Sequence, residues 1–186
     1  MSVVEHPFLS RASRLLGPAL ATGQRLLTAV WRSPAGVVLL HLALLAILAT
    51  ALYCFGIIRH FPTNENLTAW DIMWYRRILE GGYSYSETTT SSVAFFPLFP
   101  YFWRLTQLRE LGISIVNAAI FLSSFAWLAH QLRLGRRWQL LALSSPLLLF
   151  MWVPYTEALF FLFCSLLLAG LHRERTGWVL LGLSGA

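Results

Sequence analysis

Val37 to Ile58 reads VVLLHLALLAILATALYCFGII, 22 residues in which His41 is the one titratable group apart from Tyr53 and Cys54. At about 1.5 Å per residue a helix of that length crosses a hydrocarbon core of roughly 30 Å, which needs about 20 residues. Three more apolar stretches lie further along: Ile113 to Leu132, Trp138 to Pro154 and Tyr155 to Leu171. A last one runs from Gly177 to Ala186 and holds only ten residues, so the sequence is expected to stop inside a transmembrane helix and to be the front of a longer protein. Of the 186 residues 57% are hydrophobic and 12% charged, with a mean hydropathy of +0.62, far from the balance of a soluble domain. The expectation is an all-α, polytopic membrane protein.

Charge sets the orientation. All 14 basic residues are Arg, and the formal charge is +6. Arg11, Arg14, Arg25 and Arg32 precede the first span, Arg133, Arg136 and Arg137 follow the second, and Arg173 and Arg175 follow the fourth. If each stretch crosses once, these clusters share one side, which the positive-inside rule makes cytoplasmic. That reading uses the basic residues for topology, so no nucleic-acid partner is expected. The expected layout is a cytoplasmic amphipathic or disordered segment over 1–35, a first transmembrane helix over 36–58 and an extracytoplasmic loop over 59–110 with interfacial helices at 70–80 and 93–106. A second transmembrane helix follows over 111–132, then a transmembrane hairpin over 138–171 with its tip at 153–157, and the start of a truncated helix at 177–186. The first 35 residues lack a signal peptide's short apolar core and cleavage site, which makes 36–58 an uncleaved anchor.

The outer loop carries the only aspartate, Asp71, and five of the eight acids. Trp70 to Glu80 has helical character, with Thr68 or Asp71 suited to the N-cap and Gly81-Gly82 to the stop. At about 100° per residue Arg76, Arg77 and Glu80 share one side, while Asp71 falls between Tyr75 and Ile78 on the apolar side. An acid present only for solubility would group with the other charges; this one is aimed at a pocket or at the membrane boundary. The competing explanation is a first-turn acid favoured by the helix dipole. Glu157, at the hairpin tip, is a carboxylate near the membrane boundary, where ionisable groups are usually functional or paired.

Trp70-Asp71, Trp74-Tyr75, Ile78 and Gly82-Tyr83, then Ala94-Phe95-Phe96-Pro97-Leu98-Phe99-Pro100, then Ser145-Pro146 and Tyr155-Thr156-Glu157, resemble in order the PIG-V family of GPI mannosyltransferases and its bacterial relatives. The likeness covers about residues 65 to 186. It implies a GT-C-like N-terminal half, a multi-spanning helical enzyme with an aspartate in its first large outer loop. It also implies transfer of a sugar, mannose in the eukaryotic members, from a polyprenyl-phosphate donor to a lipid or glycan acceptor, with inversion. Inverting transfer needs a base for the acceptor hydroxyl's proton. Asp71 is assigned that role, and Glu157 a neighbouring or acceptor-binding one.

Tyr155, Thr156 and Trp70 are expected to contact sugar, and Arg76 and Arg104 the donor phosphate, since Arg matches phosphate geometry. Interfacial anchoring competes for the aromatics and headgroup contact for Arg76, Arg77 and Arg104. Neither Cys54 nor Cys164 points to a disulfide, and no His or Cys spacing suggests a metal site; no cofactor is expected. Asn66-Leu67-Thr68 matches the N-glycosylation pattern, which matters only in a eukaryotic lumen. The partners are a polyprenyl-phosphate sugar, an acceptor and membrane lipids. The expected location is the inner (plasma) membrane with the active face extracytoplasmic, or the ER membrane for a eukaryotic source. The alternative function is a non-catalytic membrane subunit, or a truncated remnant, working with a partner subunit.

Overall fold

The computed structural model describes residues 28, 33–68 and 70–185, and every regular element among them is helical. Most of the segment 1–35 lies outside the described residues. Ser33 opens the first helix, α1 (Pro34–Cys54): its hydroxyl accepts the Gly36 N–H at 3.2 Å, and Pro34 occupies the first turn, where a missing N–H costs nothing. Gly36, Val37 and Val38 are buried at its start, whereas Leu39, Leu44, Ile47 and Leu48 are exposed. A helix apolar all round with one flank uncovered is suited to lipid.

The segment that follows α1 folds into two short helices, α2 (Asp71–Gly81) and α3 (Leu98–Thr106), with a single 3-10 turn at Ser92–Ala94 before α3. Ile72, Tyr75 and Ile78, three residues apart, bury one face of α2. Gly82 ends it at φ 78°, a conformation an L side chain resists, with its N–H on the Ile78 carbonyl. The cap at the other end is Trp70, without a side-chain hydrogen bond, rather than Thr68 or Asp71. Asp71 shares the angular position of Tyr75 and Ile78, but as the first helical residue it overhangs the end of the packed face and is exposed.

Next comes α4 (Glu110–Gln131), which with α1 makes two helices long and apolar enough to cross a membrane. The stretch 138–154 does not form one continuous helix. α5 (Arg136–Leu143) stops after eight residues, and a 3-10 segment, Pro146–Met151, follows. Pro146 explains the break: it has no N–H to donate, and it holds Ser145 at φ −66°, ψ 128°, outside the helical region. Two apolar helices complete the chain, α6 (Glu157–His172) and α7 (Thr176–Gly185). They pack backbone to backbone: a Cβ on Gly182 would lie 2.6 Å from the Leu167 nitrogen, and one on Gly170 2.7 Å from the Val179 nitrogen. Small residues at such contacts are how helices associate where apolar burial offers little drive.

Two apolar clusters hold the assembly. One joins Val37 and Val38 of α1 to Phe121, Leu122 and Phe125 of α4, Leu143 of α5 and Ala158 of α6. The other joins Ile72 and Tyr75 of α2 to Phe99 and Trp103 of α3, Ile113 of α4 and Tyr155 and Leu159. The second cluster seats α2 and α3 on the longer helices, and the site lies at that junction.

Candidate functional site

The 153–157 turn is built around an amide from α4. Asn117 is fully buried, and its Nδ2 donates to the Val153 carbonyl at 2.7 Å and the Tyr155 carbonyl at 2.9 Å. With Pro154 also buried, the turn delivers Tyr155, Thr156 and Glu157 to the first turns of α2. There Thr156 lies close enough to Tyr75, and the Asp71 backbone to Tyr155, to act on the two phenols. Asp71 and Glu157 are near enough for the charge of one to act on the other. Two acids far apart in the chain thus share one site.

The acids have different surroundings. Asp71 is exposed, whereas Glu157, the first residue of α6 and outside both candidate spans, is half-buried, and its Oε2 has no hydrogen-bonding partner. Burial pushes the Glu157 carboxyl above its ordinary value; its own backbone amide opposes this, and the Asp71 charge adds to the rise. Tyr75 is neutral over the physiological range, pushed up to about 12, chiefly by burial. Between the ordinary carboxyl pKa and the raised one, the folded chain holds the Glu157 proton while the unfolded chain has released it. Stability therefore falls as pH rises through that window. Glu157→Gln should remove this loss, melting higher than wild type at pH 8 and no higher at pH 4; thermal unfolding in detergent at the two pH values is the check.

Aromatic rings flank the acids. Trp70 stacks on Phe150 with centroids 6.4 Å apart, and Phe150 on Tyr155 at 6.0 Å. Trp70 is exposed and holds φ 55°, ψ −127°, a backbone state costing an L residue about 1–3 kcal/mol, so the packing around it imposes its position beside Asp71. On the other side of Glu157 a cavity of about 370 Å³ opens between α3 and α6. Phe96, Leu98, Phe99, Leu159 and Phe160 form its wall, Gly185 closes it, and Thr156 and Glu157 are its polar end.

Asp71, Glu157, Tyr155, Thr156 and Trp70 are gathered here; the arginines are not. Arg76 pairs with Glu110 at 3.3 Å and Glu80 at 3.5 Å, and the Glu110 carboxylate is buried, so this guanidinium joins α2 to the start of α4. Arg104 lines a separate small cleft with Ile78, Tyr83 and Tyr101, and Arg77 covers the Trp74 ring at 4.9 Å. The Asn66 amide is occupied within its own loop, donating to the Phe61 carbonyl and accepting the Thr63 N–H. Tyr75, Phe150 and Asn117 belong to the site without having been singled out from the sequence. Tyr75 stands in the Trp74-Tyr75 motif, and Asn117 is an amide inside an apolar span. Among the described residues no group of three or more His, Cys, Asp or Glu could hold a metal ion.

Fold and site together define a helical protein with, among the described residues, two helices suited to a membrane and an acid pair, flanked by aromatic rings, where α2 meets the longer helices. No family model, curated protein or solved structure matches the chain.

Proposed function

We propose that the chain works in a GT-C-type membrane glycosyltransferase. It moves a sugar, mannose by family resemblance, from a polyprenyl phosphate to an acceptor hydroxyl on the extracytoplasmic face of the plasma membrane. The observation that carries this reading is the meeting of Asp71 with Glu157, beside stacked aromatic rings and a cavity, at one end of helices able to span a bilayer. The acceptor oxygen attacks the anomeric carbon, its proton passes to the Asp71 carboxylate, and the bond from that carbon to the phosphate oxygen breaks, the phosphate keeping the electron pair. Attack from the side opposite the phosphate inverts the anomeric centre. Exposure suits Asp71 to meeting an incoming hydroxyl. Glu157, kept neutral more readily, can donate a hydrogen bond to the acceptor or accept one from it. Trp70, Tyr155 and Thr156 offer a ring face and hydroxyls to a sugar.

The test is transfer of label from polyprenyl-phosphate-mannose by membranes carrying the complete protein. Label is expected to leave the donor lipid for an acceptor at a rate set by the amount of this protein. Label that stays on the donor, with endogenous acceptors present, would reject the reading.

A further inference from the structure

The cavity beside the acid pair has a character the transfer reading does not use. Its wall is carbon from Phe96, Leu98, Phe99, Leu159 and Phe160, and among the residues lining it Glu157 is the one ionisable group. The buried Oε2 of Glu157 lacks a partner, a state that is costly unless a ligand or water supplies one. The adjacent Asp71 is a second acid, and the arginines of the outer helices lie elsewhere: Arg76 is held by Glu110 and Glu80, and Arg104 lines another cleft. A phosphate head in the cavity would meet the Glu157 carboxyl with no cation lining the wall. A hydroxyl would find the partner that Oε2 lacks.

We infer that this cavity binds a neutral aliphatic alcohol, its chain against Leu98, Phe99, Leu159 and Phe160 and its hydroxyl on Glu157. The inference rests on the proposed transfer reaction only in naming that alcohol as the acceptor; the binding stands by itself. The acceptor is then a membrane amphiphile whose reacting oxygen sits at the head of an apolar chain. Glu157 selects against its phosphorylated counterparts.

The experiment uses the protein in lipid nanodiscs and two photoreactive probes of equal chain length, a diazirine-bearing dodecanol and its phosphate monoester, with crosslinked peptides read by mass spectrometry. In wild type the alcohol should label the 156–160 segment about tenfold more than the phosphate, and unlabelled dodecanol should displace it. Leu98→Trp, which fills the cavity from its exposed rim, should suppress labelling of that segment by both probes. Glu157→Leu should bring the two probes to near-equal labelling while the apolar wall is still marked, and that remaining signal reports an intact cavity. Equal labelling by the phosphate in wild type, or labelling that dodecanol does not displace, as bulk lipid would give, overturns the inference. Transfer to a water-soluble glycan without specific labelling would overturn it and leave the glycosyltransferase reading standing. Displaceable labelling in a protein without transfer would do the opposite.

Discussion

Asp71→Asn is expected to lower the transfer rate by about 10²–10⁴-fold, the usual contribution of a positioned base, while KM for the donor changes little. The amide keeps the size of the carboxylate and its place on the first turn of α2, but it cannot take a proton from the attacking hydroxyl. The fold should tolerate the change. Asp71 is exposed, and the packed face of α2 is made by Ile72, Tyr75 and Ile78. What the fold gives up is a favourable charge at a helix N-terminus, about 0.3–1 kcal/mol. Initial rates and thermal melting of the same preparation separate the two effects. An Asn variant that transfers at the wild-type rate would remove Asp71 from the chemistry.

Asn117→Leu should have the next largest effect, although Asn117 lies behind the acid pair and its amide bonds go to the turn rather than to either acid. Its two hydrogen bonds, at 2.7 and 2.9 Å, tie the Val153 and Tyr155 carbonyls to α4 inside a fully buried environment. Leucine matches it in size and offers no donor. The Val153 carbonyl keeps the Tyr155 N–H, 2.7 Å away, whereas the Tyr155 carbonyl loses the Asn117 amide. Losing both bonds should destabilise the fold by about 2–3 kcal/mol. The functional loss should be larger than this implies, because a turn displaced by 1 Å carries Thr156 and Glu157 away from Asp71, and errors of that size cost about 10²-fold in rate. The expected pattern is a lower melting temperature together with a fall in kcat measured well below that temperature. A lower melting temperature with kcat unchanged would show that the amide serves the fold alone.

The helical class could be read from composition, since stretches as apolar as 37–58 and 113–132 leave a helix as the simplest way to satisfy every backbone N–H and C=O. The end of α2 at Gly81-Gly82 was legible for a similar reason, because a glycine at positive φ is a local requirement. The stretch 138–154 was misread as one arm of a hairpin. Its hydropathy is continuous, but Pro146 interrupts the hydrogen bonding that hydropathy does not register. The pairing of Arg76 was not legible, because pairing depends on what a neighbouring element offers, and nothing local to Arg76 announces that Glu110 will be buried beside it.

The sequence by itself determined that this chain is helical, that the stretches 37–58 and 113–132 are apolar enough to cross a bilayer, and that Asp71 shares the helical direction of the residues α2 packs with. These follow from hydropathy, backbone chemistry and a period of 3.6 residues, all of which act within one element. Only the tertiary structure decided that Asp71 overhangs its helix into the open, that Glu157 stands beside it with an unpartnered oxygen, and that Asn117 holds the turn between them. Those facts depend on where α2, α4 and α6 meet, and that meeting is set by the packing of Tyr75, Phe99, Ile113, Tyr155 and Leu159 across long separations in the chain. A carboxylate's chemistry is governed by neighbours within a few ångströms, and in this protein those neighbours come from other helices.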